Sequence, residues 1–172
     1  MSVNLEELTV YPLDLFPYID CLDSFTCGKE TYDKYIIEDA SDDHSDNIGK
    51  VWLFHHEKDV RLAGYVTLAM SQIHKNDAVS LRELTSHSYI PGLLLGQMAR
   101  DLKYSGKGLG KIMMDWVKNQ AEELRQRIGC RLIILQSEED KVKDYQRYGF
   151  VLIPPSKKKK NMMFYDLKQY VP

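Results

Sequence analysis

Nowhere in the 172 residues does an apolar run approach the ~20 that a membrane-spanning helix needs. A protein crossing the membrane on helices is therefore not expected. Met1 to Leu8 carries Glu6 and Glu7 and has no basic start followed by an apolar run, so no secretory signal is expected. Cysteine is scarce: Cys21, Cys27 and Cys130 are three, an odd number without paired spacing. They make neither a disulfide framework nor a metal-ligand set, and they fit mostly buried free thiols in a reducing cytoplasm. No sign of charge dominates either. A formal net charge of −2 provides no global field to recruit nucleic acid, which leaves only a local basic patch for that purpose. Internal repeats and linkers rich in Gly, Ser or Pro are missing too, and residues 1–172 read as one domain.

What is present suits a folded globular chain: 44% hydrophobic and 28% charged residues rule out the composition of a disordered protein. Leu8 to Leu13 reads as a short strand, and Phe25 to Ala40 as a helix on the recurrence of Tyr32, Tyr35, Ile36 and Ala40. Acidic Ser41 to Asn47 reads as a loop with nothing to bury. Val51 to His56 and Leu62 to Ile73, separated by Glu57-Lys58-Asp59, predict a hairpin. Lys75 to Tyr89 is weakly patterned, and Ile90-Pro91-Gly92 punctuates it before a buried strand from Leu93 to about Arg100. A long amphipathic helix follows, with Leu109, Ile112, Met113, Trp116, Val117, Ala121, Leu124 and Ile128 on one face and Gly129 at its end. Arg131 to Leu135, Phe150 to Ile153 and Met162 to Leu167 read as strands, with Glu138 to Arg147 a helix among them. The order β-α-β-β-β-α-β-α-β-β predicts an α/β sandwich around a mixed sheet.

Chemistry concentrates in Ser105-Gly106-Lys107-Gly108-Leu109-Gly110-Lys111, between a buried strand and the amphipathic helix. Unpaired N–H groups at a helix start carry the positive end of the helix dipole, and glycines let that backbone come close to a phosphate. Strand, glycine turn and helix together predict an anion site. A Walker loop would need glycine where Ser105 stands, and Ser or Thr where Ile112 stands; a dinucleotide fingerprint starting at Gly106 would need glycine at Lys111. Neither motif is met.

Leu94-Leu95-Gly96-Gln97-Met98-Ala99-Arg100-Asp101 and the following Tyr104 to Gly110 resemble the GCN5-related N-acetyltransferases (GNAT), and in particular the bacterial toxin acetyltransferases that modify aminoacyl-tRNA. Phe25-Thr26-Cys27-Gly28 with Tyr32-Asp33-Lys34-Tyr35 is similar to that subgroup's first helical region, and Tyr145-Gln146-Arg147-Tyr148-Gly149-Phe150 to the family's late tyrosine and Gly-Phe signature. The resemblance implies a GNAT-type three-layer sandwich with a mixed, mostly antiparallel central sheet and a splayed strand pair at the cofactor site. It implies acetyl-CoA as cofactor, with Met98 and Arg100 offering main-chain groups to the pantetheine arm. Gly106, Lys107, Gly108, Leu109, Gly110 and Lys111 would cradle the pyrophosphate, and Tyr145 would protonate the departing thiolate. The sequence departs from the family at Ser105, which opens the turn, and at Gln97 and Asp144.

For a general base, Asp101, Glu138 and Glu139 follow strand ends; carboxylates at helix starts more often serve as caps. His55 and His56 are expected to face opposite sides of a strand, one of them exposed, without a shared metal. Trp52 and Trp116 fit core positions. Lys157 to Lys160 reads as a solvated loop, or as a grip on tRNA phosphates beside Lys141, Lys143 and Arg147. The main expectation is an acetyl-CoA-dependent N-acetyltransferase acting on a small amine or a peptide or protein amino group. The alternatives are a toxin acetylating aminoacyl-tRNA, with an antitoxin protein as partner, and a non-catalytic CoA-binding module. A homodimer joined through sheet edges is the oligomer the resemblance suggests.

Overall fold

The computed structural model describes residues 7–154 and 161–169. Seven strands are named in chain order: β1 Leu8–Pro12, β2 Lys50–His56, β3 Arg61–His74, β4 Tyr89–Arg100, β5 Leu132–Gln136, β6 Val151–Leu152 and β7 Met162–Asp166. The helices are α1 Glu30–Glu38, α2 Ala40–Ser45, α3 Val79–Arg82, α4 Leu109–Arg125 and α5 Val142–Arg147. The strands form one sheet in the order β1-β2-β3-β4-β5-β7-β6. β4 and β5 run parallel, whereas β1–β2, β2–β3, β5–β7 and β6–β7 are antiparallel. The class is α/β with a mixed, mostly antiparallel sheet, as expected.

Several local expectations fail for identifiable reasons. Residues 41–45 are helical rather than a loop, because Ala40 and His44, one helical turn apart, both point inward and are buried. His44 Nδ1 accepts the Val51 N–H at 3.1 Å, and its Nε2 lies 3.2 Å from Asp14 Oδ1. The punctuation at Ile90-Pro91-Gly92 is strand: Pro91 lends its carbonyl to Arg131 N at 2.9 Å, and Gly92 admits the neighbouring strand so closely that a Cβ would stand 2.8 Å from Leu132 O. α4 stops at Arg125, where the N–H groups of Arg127 and Ile128 close on Leu124 O, so Ile128 is half-exposed and Gly129 is not its cap. Both histidines of β2 are buried. Rings of Tyr11, Phe16 and Tyr18 surround His55, while His56 meets Tyr104, so both sides of the strand are covered there. Trp52 and Trp116 are half-buried rather than core.

The chain divides into two compact units, residues 1–69 with 96–113, and 70–95 with 114–172. In the first, Phe16, Phe25, Ile36, Leu53, Leu62 and Tyr65 pack as one apolar cluster. In the second, Ile73, Leu81, Ile90, Leu132, Ile134 and Phe164 do the same. Each such side chain contributes about 1.5–3 kcal/mol by leaving water. The second unit also holds a fork-to-fork pair, Arg131 Nε to Asp166 Oδ1 at 2.6 Å and Nη2 to Oδ2 at 2.9 Å, with Lys168 N on Oδ1.

Burial alone would push the Asp166 carboxyl up, but Arg131 and the Lys168 N–H outweigh it and hold it below the ordinary carboxylate range. A pKa depressed by folding contributes stability that is present above the unfolded value, about 3.9, and lost as pH falls through the folded one. Denaturation midpoints should therefore fall steeply below about pH 4. Asp166→Ala should cost about 3 kcal/mol at neutral pH, because it leaves Arg131 without its partner, and should flatten that acid limb.

Val60 ends the β2–β3 turn with φ at 49°, a left-handed conformation that a β-branched residue adopts only under strain. Val60→Asn should raise stability by about 1 kcal/mol in denaturant melts.

Candidate functional site

The glycine turn lies in the first unit. Leu102–Tyr104 forms a short 3-10 turn, with the Asp101 carboxylate accepting from Lys103 N at 2.8 Å. Gly106 and Gly108 adopt φ of +71° and +83°, and a β-carbon on either would meet nothing within 4 Å. Packing therefore does not demand these glycines; the left-handed backbone does, and it leaves open approach to the main chain. Leu109 and Gly110 open α4 with N–H groups that have no preceding helical turn to donate to, whereas those of Lys111 and Ile112 close on Gly108 O at 3.1 and 3.3 Å. Beneath the turn, Tyr104 is buried and donates to Asp59 Oδ2 at 2.8 Å, with Lys103 Nζ 3.0 Å from the same oxygen. Lys103 and Lys107 place ammonium groups 6.0 and 5.7 Å from the Tyr104 ring centre. Hydrogen bonds from Lys103 and Tyr104 hold Asp59 below the usual carboxylate range, whereas burial first and then Asp59 push the Tyr104 phenol up.

β4 leads into this turn. Its parallel register with β5 runs from Gly92–Leu132 to Leu95–Leu135, and β4 itself continues to Arg100. Met98 and Arg100 are half-buried on that extension. Arg100 Nη2 donates to Ser105 Oγ at 3.2 Å, tying the strand to the turn, while its Nε is buried without a hydrogen-bond partner. On β3 and β4, the Tyr65 hydroxyl lies 2.9 Å from Tyr32 O and 2.8 Å from Gln97 Oε1. A phenol has one proton, so the network closes best with the Gln97 carboxamide turned to donate its NH2 to the Tyr65 oxygen.

Tyr145 lies in the second unit, half-buried on α5. The helix ends after it in a Schellman motif: Gly149 has φ +90°, Gly149 N donates to Gln146 O, and Phe150 N donates to Tyr145 O at 3.1 Å. The apolar contact that accompanies such an end is an edge-to-face pair, Tyr145 with Phe150, 5.8 Å between centres. The Gly-Phe dipeptide thus has a physical role. It ends α5 and fixes the turn that carries the tyrosine.

Of the base candidates, Asp101 is almost fully buried and accepts from Thr26 N, Lys103 N and Arg61, so it works as a structural clamp. Glu138 is half-buried and Glu139 exposed, at the 3-10 turn before α5. Lys141, Lys143 and Arg147 are exposed on that segment, with Arg147 Nη1 3.2 Å from Asp144 and Lys141 3.4 Å from Asp140. Lys157 to Lys160 lies outside the described residues. Among the described residues, no group of His, Cys, Asp and Glu is arranged to hold a metal ion. Sequence reading missed the Tyr65–Gln97–Tyr32 network. Its members are far apart in the chain, and no spacing signals the register that joins them.

No family model matches the sequence. A curated relative, the tRNA-acetylating toxin of Mycobacterium tuberculosis, is 26% identical over 136 residues, 78% of this chain and 81% of the relative. A crystal structure of a tyrosine-to-phenylalanine variant of KacT matches with a TM-score of 0.84 at 23% identity, over 94% of this chain and 96% of that one. AtaT complexed with acetyl-methionyl-tRNAfMet matches with a TM-score of 0.83 at 20% identity, over 94% and 95% of the two chains. AtaT has also been solved as a tyrosine-to-phenylalanine variant bound to acetyl-CoA and the C-terminus of the antitoxin AtaR. The fold is that of the KacT and AtaT toxins. The GNAT-type expectation is met.

Substitution separates the two kinds of glycine. Gly149→Ala should cost about 1–2 kcal/mol for the left-handed backbone, and more because its Cβ would press to 3.1 Å from Tyr165 Cε2. Gly108→Ala, with open space around it, should cost the backbone penalty alone. Denaturant titration of both variants measures the difference.

Proposed function

We propose that residues 1–172 form one N-acetyltransferase domain that transfers the acetyl group of acetyl-CoA to the amino group of aminoacyl-tRNA. The observation that carries this reading is the pair of left-handed, uncrowded glycines, Gly106 and Gly108, at the head of α4 in a fold shared with acetyltransferase toxins. The similarity to a tRNA-acetylating toxin and to AtaT complexed with acetyl-methionyl-tRNAfMet favours charged tRNA over the small amine or peptide of the main expectation.

The residues fit the cofactor. Gly106 to Lys111 wraps a pyrophosphate at the positive end of the α4 dipole, with the main-chain N–H groups of Leu109 and Gly110 at the helix start, and Lys107 adds a cation. The buried, unpartnered Nε of Arg100 beside the strand end is a donor awaiting an acceptor. Acetyl-CoA supplies the acyl group as a thioester. Met98 and Arg100 hold the pantetheine arm through main-chain groups, and the Met98 N–H steadies the negative charge that builds on the acyl oxygen. Tyr145 gives a proton to the departing sulfur. The amine attacks in its neutral form, the nitrogen gives its surplus proton to water as the carbon–sulfur bond breaks, and positioning of both reactants supplies much of the rate. Lys141, Lys143, Arg147 and the Lys157 to Lys160 run meet tRNA phosphates, an antitoxin protein is the controlling partner, the protein works in the cytoplasm, and a homodimer is its assembly. No described helix is long and apolar enough to cross a membrane.

Thiol release from acetyl-CoA, measured with pooled aminoacyl-tRNA against polyamines, amino acids and short peptides, tests the acceptor. Turnover is expected with charged tRNA, and turnover with a small amine alone would overturn that choice. Tyr145→Phe should lower kcat by about 100-fold with acetyl-CoA affinity kept. Neutralising Lys157 to Lys160 should raise KM for charged tRNA and flatten its salt dependence.

A further inference from the structure

Two strands of the first unit, β3 and β4, are joined by a side chain just before the site. At the far end of β4, Asp101 N donates to Ala63 O at 2.9 Å. Thr67 lies as far beyond Ala63 on β3 as Gln97 lies before Asp101 on β4, so strands running in opposite directions bring these two residues together. There, Gln97 N donates to Thr67 Oγ1 at 2.7 Å. A main-chain N–H of β4 is thus held by a side chain of β3.

The surroundings are built for that contact. A β-carbon at residue 96 would stand 2.7 Å from Thr67 Oγ1, so only glycine leaves room for the hydroxyl. Thr67 is buried, and a β-branched side chain has few rotamers to choose from, so the oxygen is fixed. The Gln97 carboxamide is held independently by the Tyr65 hydroxyl, which also meets the α1 carbonyl of Tyr32. Gln97 is therefore gripped at its main chain and at its side chain. Successive N–H groups of a strand point to opposite edges, so the N–H of Met98 points away from β3 when that of Gln97 points to Thr67.

We propose that Thr67 is a positioning residue: by taking the Gln97 N–H onto its hydroxyl, it fixes β4 at Gln97 and so places the Met98 N–H at the acyl oxygen. This rests on the acetyltransferase reading above. Thr67 touches neither cofactor nor acceptor; it acts through Gln97. Misplacing a catalytic donor by about 1 Å costs on the order of 100-fold in rate, and that sets the scale of the expected effect.

The test compares the wild-type protein with Thr67→Val, which keeps shape and strand propensity but removes the acceptor, and Thr67→Ser, which restores it. Thr67→Val should lose roughly 10- to 100-fold in kcat with the acetyl-CoA dissociation constant within about twofold, and Thr67→Ser should recover most of the loss. Hydrogen exchange of the Gln97 amide, read by mass spectrometry or NMR without any substrate, should be faster in Thr67→Val and near wild type in Thr67→Ser. Equal kcat in wild type and Thr67→Val, or unchanged exchange at Gln97, would overturn the proposal. A wild-type protein without turnover on any amine would instead overturn the acetyltransferase reading, while the exchange rates still decide whether the hydroxyl holds the strand. Should Thr67→Val fold poorly, Thr67→Ala removes the same hydroxyl with less bulk and is read the same way.

Discussion

At Gly64 a β-carbon would come within 2.8 Å of the Ala99 carbonyl and 2.9 Å of the Met113 side chain, so β3 and β4 approach more closely than any other residue would allow. That closeness sets the position of β4 in the first unit. Asp101 then bonds to Ala63, and the carboxylate that follows gathers Thr26, Lys103 and Arg61. The glycine turn begins from a strand end that is clamped on several sides. Anion binding by main-chain N–H groups needs this rigidity, because a mobile turn would have to be ordered at the moment of binding.

The toxin fold was readable from the sequence where one physical signal dominated. Seven strands were visible as apolar or β-branched runs, and the glycine turn was visible because a cluster of glycines before an amphipathic helix has few other uses. The acidic segment at 41–45 deceived because its inward residues are an alanine and a histidine, neither of which announces a buried helix face. Pro91 deceived for the opposite reason. Proline normally ends a strand, yet here its carbonyl is the group the neighbour uses. The fate of His55 was hidden because three aromatic rings from β1 and the following loop cover it, and nothing in a strand's own alternation reports such a cover.

The site shows the same division. Gly106 and Gly108 were identifiable by type, and the structure gives both a left-handed backbone. The Schellman end after Tyr145 explains in chain geometry what the late Gly-Phe signature had only suggested by resemblance. Contacts that depend on register, such as Gln97 with Tyr65 and with Thr67, were invisible because pairing between strands is settled by packing that no single segment records.

The free cysteines carry a kinetic consequence for the proposed reaction. Burial, joined by hydrogen bonding to Asp33, pushes the Cys27 thiol up to about 11, and burial first raises Cys21 and Cys130 as well. A thiol becomes nucleophilic only as its thiolate, so at neutral pH none of these sulfurs is prepared to attack a thioester. These thiols are therefore poor resting places for an acyl group between donor and acceptor. A double displacement through an acylated cysteine is thereby disfavoured, and direct transfer between two substrates bound together needs no such thiolate.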